Sequence, residues 1–88
     1  MQKSKYDLKE RTVNFAKRII RMCKFLPQNS INDQLIRQIT VSAGSVGGNY
    51  REANDALGEK DFINRLKISR KEAKETIFWL QLIKEANL

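Results

Sequence analysis

Two sets of closely spaced basic side chains are the residues of this sequence best suited to binding a ligand. The sets are Lys17, Arg18, Arg21 and Lys24, and Lys67, Arg70, Lys71 and Lys74. Cations at such spacing make phosphate contacts, which give salt-sensitive and sequence-tolerant affinity for nucleic acid. Few aromatic residues are interleaved with them, so we do not expect base stacking. An ordinary solvated helix face is the alternative interpretation of both sets.

The distribution of charge along the chain supports a polyanionic partner more strongly than the total net charge does. The formal net charge is +7. Residues 1–26 contain eight basic and two acidic residues, residues 27–58 two and three, and residues 59–88 seven and five. The excess therefore lies in the first segment, and a concentrated basic surface is typical of proteins that bind polyanions.

Residues for catalysis or metal binding are scarce. The sequence has no His, so neither zinc binding nor His-based acid–base catalysis is supported. Cys23 is the one cysteine, and its place beside an apolar helical face predicts a small buried side chain. Glu72 and Glu75 lack the Glu-x-x-His partner that helical-bundle metal sites use. We therefore expect no enzyme activity, no metal and no cofactor.

No segment resembles a targeting signal or a membrane span. The first eleven residues are mostly polar, and no apolar run has the length that a bilayer requires. We expect a cytoplasmic protein.

Apolar residues at alternating spacings of three and four predict three long helices. The first covers about residues 7–26, with Asp7 and Glu10 at capping-box spacing and Pro27 as its stop. Its apolar seam is Leu8, Thr12, Phe15, Ile19, Met22 and Leu26. The second covers about residues 32–57 and follows a cap signal at Ser30. Its seam is Ile36, Ile39, Ala43, Val46, Tyr50, Ala53 and Leu57.

Three glycines interrupt the second helical pattern, yet the seam continues in phase across them. Each glycine in a helix interior costs about 1 kcal/mol relative to alanine. Gly44 and Gly48 lie opposite the seam and beside Arg51, where small residues let another backbone approach closely. The approaching group is either a neighbouring subunit or a phosphate backbone, or else another helix of the same chain.

The third helix, about residues 60–86, has two apolar faces. The predicted inner face is Phe62, Ile63, Leu66, Ala73, Ile77 and Leu80. The second face is Ile68, Glu72, Glu75, Trp79 and Leu82. A helix that is apolar on two sides needs two sets of partners, so we expect more than one copy of the chain. The predicted subunit interface is this second face together with Gly44, Gly48, Asn49 and Arg51, the last two being donors for the carboxylates.

The three helices predict an all-α fold, an antiparallel up-down bundle forming a single domain over residues 1–88. The segments SAGSVGGNYREA at 42–53, KDF at 60–62 and KEAKETIFWL at 71–80 resemble the four-helix-bundle protein family of bacterial ribosomal RNA intervening sequences. That family looks related to the accessory protein of diversity-generating retroelements. The resemblance implies a ring, typically a pentamer, with a basic surface able to bind nucleic acid and no enzymatic activity.

The sequence departs from the family pattern in three places. The fourth helix is missing, or it is supplied by another chain. Val41 replaces a usual Arg, which removes one candidate phosphate or interface contact, and Gly58 replaces a Ser that caps the third helix.

Two functions are consistent with these features. The first is a non-catalytic, homo-oligomeric protein that binds nucleic acid, with RNA favoured although the residues themselves do not distinguish RNA from DNA. The second is a protein–protein scaffold or accessory subunit with no direct nucleic-acid role. Charge reversal of Lys17, Arg21 and Lys24 distinguishes them, because a scaffold keeps its protein partner when nucleic-acid binding is lost.

Overall fold

Three helices make up the chain over residues 7–88, which are the residues that the computed structural model describes. They are α1 (Leu8–Cys23), α2 (Ser30–Asn54) and α3 (Glu59–Ala86). No strand occurs in this range, so the prediction of an all-α fold with three helices is confirmed. The prediction of one domain over residues 1–88 stays a prediction, and its first six residues lie outside the described range.

Helix α1 begins where its cap predicts and ends earlier than expected. The Asp7 side chain accepts a hydrogen bond from the Glu10 amide at 3.3 Å, which is the predicted cap. The helix ends at Cys23 rather than near residue 26. In a helix that continued to Pro27, the proline ring would clash with the carbonyl of Cys23, which is four residues earlier. The helix therefore ends at Cys23. Phe25 and Leu26 continue instead in a tight turn, with amides bonded to the Met22 and Cys23 carbonyls.

Helix α2 runs unbroken through its glycines, as predicted, but both its ends differ from the expected residues 32–57. Asn29, rather than Ser30, is the N-cap, and its side chain accepts from the Asn32 amide at 2.8 Å. At the other end the Asp55 amide is shared between the Arg51 and Glu52 carbonyls. This bifurcated bonding closes the helix at Asn54, three residues before the predicted end.

Helix α2 lies between the other two helices and contacts both. In the described range no Cα atom of α1 lies within 8 Å of a Cα atom of α3. Along α2 and α3 the bonded pairs are Asn32 with Asn87, Ser42 with Thr76, Val46 with Ser69, and Asn49 with Arg65. Positions rise along α2 as they fall along α3. These two helices therefore run in opposite chain directions.

The core forms where the three helices meet near the end of α1. Its buried side chains are Ile19, Cys23, Ile39, Ala43 and Ile83. Partly buried side chains pack around them, including Phe15, Met22, Trp79 and Leu80. The predicted seam of α2 is buried at Ile39, Ala43, Val46 and Ala53, but Leu57 lies beyond the helix and is fully exposed.

The buried line of α3 differs from the predicted inner face. The residues of α3 that become buried are Ser69, Thr76 and Ile83, whereas Ile77 remains 56% exposed. The Ser69 hydroxyl donates to the Val46 carbonyl at 2.6 Å, and the Thr76 hydroxyl lies 3.0 Å from the Ser42 hydroxyl. These bonds satisfy the hydroxyl groups, so α3 presents a partly polar line to α2. Phe62 and Ile63 of the predicted inner face are also exposed, at 38% and 41%.

Two asparagines join the start of α2 to the end of α3. The Asn32 amide nitrogen donates to the Asn87 side-chain oxygen at 2.9 Å, and the Asn87 amide nitrogen donates back to Asn32 at 2.9 Å. The remaining N–H groups reach the Pro27 carbonyl and the Ile83 carbonyl, each at 2.8 Å. We call this reciprocal pair the asparagine clasp. It fixes the ends of α2 and α3 to the turn that follows α1.

Candidate nucleic-acid interface

The second basic set forms one concave patch on α3. Its four residues, Lys67, Arg70, Lys71 and Lys74, are all exposed and are the lining of a shallow depression of about 380 Å³. We call this surface the α3 cradle. In residues 7–88 none of the four forms an ion pair, whereas Arg65 lies 4.0 Å from Asp61 one turn earlier. The cradle therefore presents to solvent four positive charges that form no ion pair in this range.

The first basic set is divided between two sides of α1. Lys17, Arg18, Arg21 and Lys24 are all exposed. Arg18 lines an apolar cleft between α1 and α3 with Phe15, Ile19, Met22 and Leu80, and this cleft has a volume of about 320 Å³. At about 100° per residue, the other three residues lie on the face of α1 away from the core.

The structure does not join the two basic sets into one patch. Helices α1 and α3 both pack against α2, and within the described residues their Cα atoms stay more than 8 Å apart. Apart from Arg18, which lines the cleft, each set lies on the outward side of its own helix. One chain therefore offers two separate cationic surfaces, and the α3 cradle is the more compact.

Three residues of the predicted subunit interface lie together in a groove between α2 and α3. Glu72, Glu75 and Trp79 line a depression of about 290 Å³ with Gln38, Val41, Ser42 and Lys71. Glu72 is half-buried and Glu75 is exposed, so neither carboxylate requires a buried donor. Trp79 is half-buried and packs against the core. We call this surface the acidic groove.

The glycines of α2 have a different arrangement from the one that their spacing suggests. A Cβ atom added at Gly44 or Gly48 would meet nothing within 4 Å. The interpretation that these two glycines pack against another helix of the same chain is therefore wrong for the described residues. Gly47 makes the close approach instead, because a Cβ there would lie 3.1 Å from the Thr12 hydroxyl oxygen.

The remaining predicted interface residues are dispersed. The Asn49 side chain donates to the Ser45 carbonyl at 2.9 Å and accepts from Arg65 at 3.4 Å. The second N–H group of this amide makes no hydrogen bond in the described residues, so the role of Asn49 as a donor to the carboxylates stays a prediction. Arg51 is exposed, and Ile68 and Leu82 are 39% and 38% exposed.

Residues with nucleophilic groups are held in structural roles. Burial raises the pKa of the Cys23 thiol, which favours its unreactive protonated form. The Ser42 hydroxyl lies 3.1 Å from the Ile39 carbonyl and close to Thr76. Residues 7–88 contain no group of three or more acidic, Cys or His side chains that would suit a metal ion. In the same range no helix has both the length and the apolar content of a membrane span.

One exposed aromatic side chain next to the cradle escaped the sequence analysis. Phe78 is 46% exposed, and its ring lies 4.9 Å from that of Trp79 in an edge-to-face arrangement. Phe78 follows Lys67, Lys71 and Lys74 at helical spacing, which is the signal that would have identified it.

Residues 4–88 match the family described as 23S rRNA-intervening sequence protein. The chain belongs to this family. The match confirms the resemblance that the segments in α2 and α3 suggested. No curated protein matches the chain.

A solved structure from a related protein has a similar helical arrangement. This relative is a protein with unknown function from the S23 ribosomal protein family of Bacteroides thetaiotaomicron, with a crystal structure at 1.70 Å resolution. The two chains are 41% identical, with a TM-score of 0.75. The matched region covers 89% of the present chain and 72% of the relative. Neither comparison names a catalytic activity.

Proposed function

We propose that this protein is a non-catalytic, homo-oligomeric nucleic-acid-binding protein that contacts phosphates, with RNA favoured. The α3 cradle is the observation that carries the proposal, because it gathers four exposed cations around one depression. Four neighbouring charges without acidic partners suit a phosphate backbone and provide no base-edge reading. The family description, which refers to intervening sequences of 23S rRNA, favours RNA over DNA.

The test is a fluorescence-anisotropy titration of a labelled oligonucleotide at increasing salt. If the cradle contributes four contacts to a single strand, affinity falls about 50-fold between 50 and 200 mM salt. Replacement of the four cradle residues by Gln should remove most binding at 50 mM salt. A matched variant carries the same number of Lys/Arg→Gln changes at exposed positions outside both basic sets, namely Lys9, Arg37, Lys60 and Lys84.

Two results would reject this assignment. The first is an absence of binding by the unmodified protein at 50 mM salt. The second is an equal loss of affinity in the cradle variant and the matched variant, which would mean that net charge, rather than the cradle, governs binding. The same titration with DNA of identical sequence tests the preference for RNA.

Assembly into a homo-oligomer, with a pentameric ring favoured, is part of the proposal. Exposed apolar side chains support it, since Val41 is 68% exposed on α2 and lies beside the open surfaces of Gly44 and Gly48. In a ring each cationic patch is repeated, so weak contacts combine by avidity. Light scattering should give a mass five times the 10.2 kDa of one chain. Gly44→Leu should lower that mass while circular dichroism still shows the helical fold, and a single-chain mass for the unmodified protein would reject the assembly.

The complete fold proposed here is an antiparallel up-down four-helix bundle in a cytoplasmic protein. The apolar cleft between α1 and α3 supports a fourth helix, because it leaves Leu80 and its neighbours only partly covered. That helix comes either from a further segment or from another chain. The relative's chain extends beyond the matched region, which covers 72% of it.

A protein scaffold or accessory subunit is the second candidate, and the acidic groove favours it. The groove combines two carboxylates with a half-buried Trp79, a chemistry that suits a basic protein segment better than a phosphate backbone. Charge reversal of Lys67, Arg70 and Lys74, the cradle residues that do not line the acidic groove, separates the two functions. Retained capture of a protein partner together with lost RNA binding would favour the scaffold.

A further inference from the structure

An aromatic ring extends the α3 cradle along the same face of the helix. Lys67, Lys71, Lys74 and Phe78 follow one another at spacings of four, three and four residues. At about 100° per residue, such positions lie within a narrow stripe. Phe78 is four residues beyond Lys74, which is about 6 Å along the helix axis. A flexible lysine side chain spans that distance, so a phosphate at Lys74 and its own base at Phe78 lie within one helical turn.

The Phe78 ring is held in place and remains accessible. Its neighbour Trp79 packs against the core and contacts it edge to face, with 4.9 Å between ring centroids and 73° between ring planes. Aromatic pairs prefer this geometry, and it limits the rotation of the exposed ring. Phe78 is nevertheless 46% exposed. An exposed aromatic ring with restricted motion loses little conformational entropy when a flat ligand stacks on it.

We propose that Phe78 stacks on an unpaired base and that the α3 cradle with Phe78 prefers single-stranded nucleic acid to a duplex. The inference rests on the proposed function and adds the structural class of its ligand. Bases within a duplex are covered on both faces by their neighbours, so a protein aromatic can stack only on a base that is free of them. Cations that follow the backbone beside a stacking ring are the combination that single-strand binding uses. The expectation of no base stacking is therefore replaced by this proposal.

The experiment compares a labelled 12-nucleotide RNA with the same strand in a duplex, using the full chain. Phe78→Ala should weaken single-strand binding by about 5- to 100-fold, as loss of one stacked base does. Duplex binding and the salt slope should not change. Phe78→Tyr retains the ring and should retain affinity. Phe25→Ala, at an 88% exposed position in the turn after α1, is the matched control and should bind as the unmodified protein does.

Trp79, the one tryptophan of the chain, gives a second readout. Its fluorescence should change when single-stranded RNA binds and should change less when the duplex binds, because stacking alters the ring that it contacts. Circular dichroism and light scattering establish that Phe78→Ala keeps the fold and the mass.

Three results would overturn the inference. They are unchanged single-strand affinity in Phe78→Ala, an equal loss for single strand and duplex, and a change of mass that would place Phe78 in a subunit contact. Loss of binding in the cradle variant together with unchanged affinity in Phe78→Ala rejects the stacking alone. No binding of either RNA by the unmodified protein rejects the proposed function as well.

Discussion

The asparagine clasp should make a measurable and cooperative contribution to stability. Asn87→Ala removes the two bonds to Asn32 and the bond to the Ile83 carbonyl. A neutral hydrogen bond contributes about 0.5–1.5 kcal/mol net, and water can replace part of this at an exposed residue. We expect the free energy of unfolding to fall by about 1–2 kcal/mol. Asn32 is only 1% exposed, so Asn32→Ala should cost more, about 2–4 kcal/mol.

The double variant decides whether the two side chains act together. Both single variants lose the same two reciprocal bonds, so the losses should not add. The double variant should be about 1–2 kcal/mol more stable than the sum of the single losses implies. Urea unfolding followed by circular dichroism, at one protein concentration for all variants, measures each value.

An exposed asparagine of the same helix provides the control. Asn64→Ala should change the free energy of unfolding by no more than about 0.5 kcal/mol. Additive losses at Asn32 and Asn87 would refute the clasp, because additivity means that the two amides do not depend on each other. A loss in Asn64→Ala as large as that in Asn87→Ala would show that the effect belongs to α3 in general.

Three further predictions concern the core and the open faces. Gly47→Leu should lower the free energy of unfolding by about 1–3 kcal/mol in urea titrations, because its Cβ would lie 3.1 Å from the Thr12 hydroxyl oxygen of α1. Gly44→Leu faces open space, so this variant should retain the helical circular-dichroism spectrum in the absence of urea. Burial raises the pKa of the Cys23 thiol in the folded protein. The stabilising contribution of the buried thiol is therefore complete below the usual thiol pKa of 9.0 and is lost as the pH rises above that value. The free energy of unfolding of the unmodified protein, relative to that of Cys23→Ala, should accordingly fall above about pH 9. Ile77→Asn should lower the thermal midpoint by more than Ile31→Asn, at a 63% exposed position, because Ile77 lies one helical turn before Leu80, beside the cleft that the proposed fourth helix would cover. Equal midpoints would contradict a fourth helix that extends over Ile77.

Apolar spacing was sufficient to predict the three helices because each contains apolar residues at alternating spacings of three and four, and many of those in α1 and α2 pack in the core. It failed for the buried line of α3, where Ser69 and Thr76 count as polar in any sequence pattern. Their burial depends on an acceptor in α2 that only the packed structure supplies. The helix ends were displaced for local reasons, since Asn29 and Ser30 are both good caps and only the backbone conformation selects Asn29.

The candidate site was predicted in part. The spacing of Lys67, Arg70, Lys71 and Lys74 places them on one outward face of α3, and the structure gathers them around one depression. The spacing of glycines did not identify the close approach, because the helix crossing that brings Thr12 to Gly47 is a tertiary property. Phe78 was missed because it lies in an apolar run, where exposure cannot be judged from residue type.

Lys71 borders both the α3 cradle and the acidic groove. Its ammonium group is therefore a shared boundary between a cationic surface and an anionic one. Lys71 forms no ion pair with the groove carboxylates in the described residues, so its charge acts on both surfaces through space. A polyanion bound at the cradle would offset that charge, and we expect the groove then to attract a cationic partner more strongly. By thermodynamic reciprocity, a cationic partner in the groove would strengthen polyanion binding by the same factor.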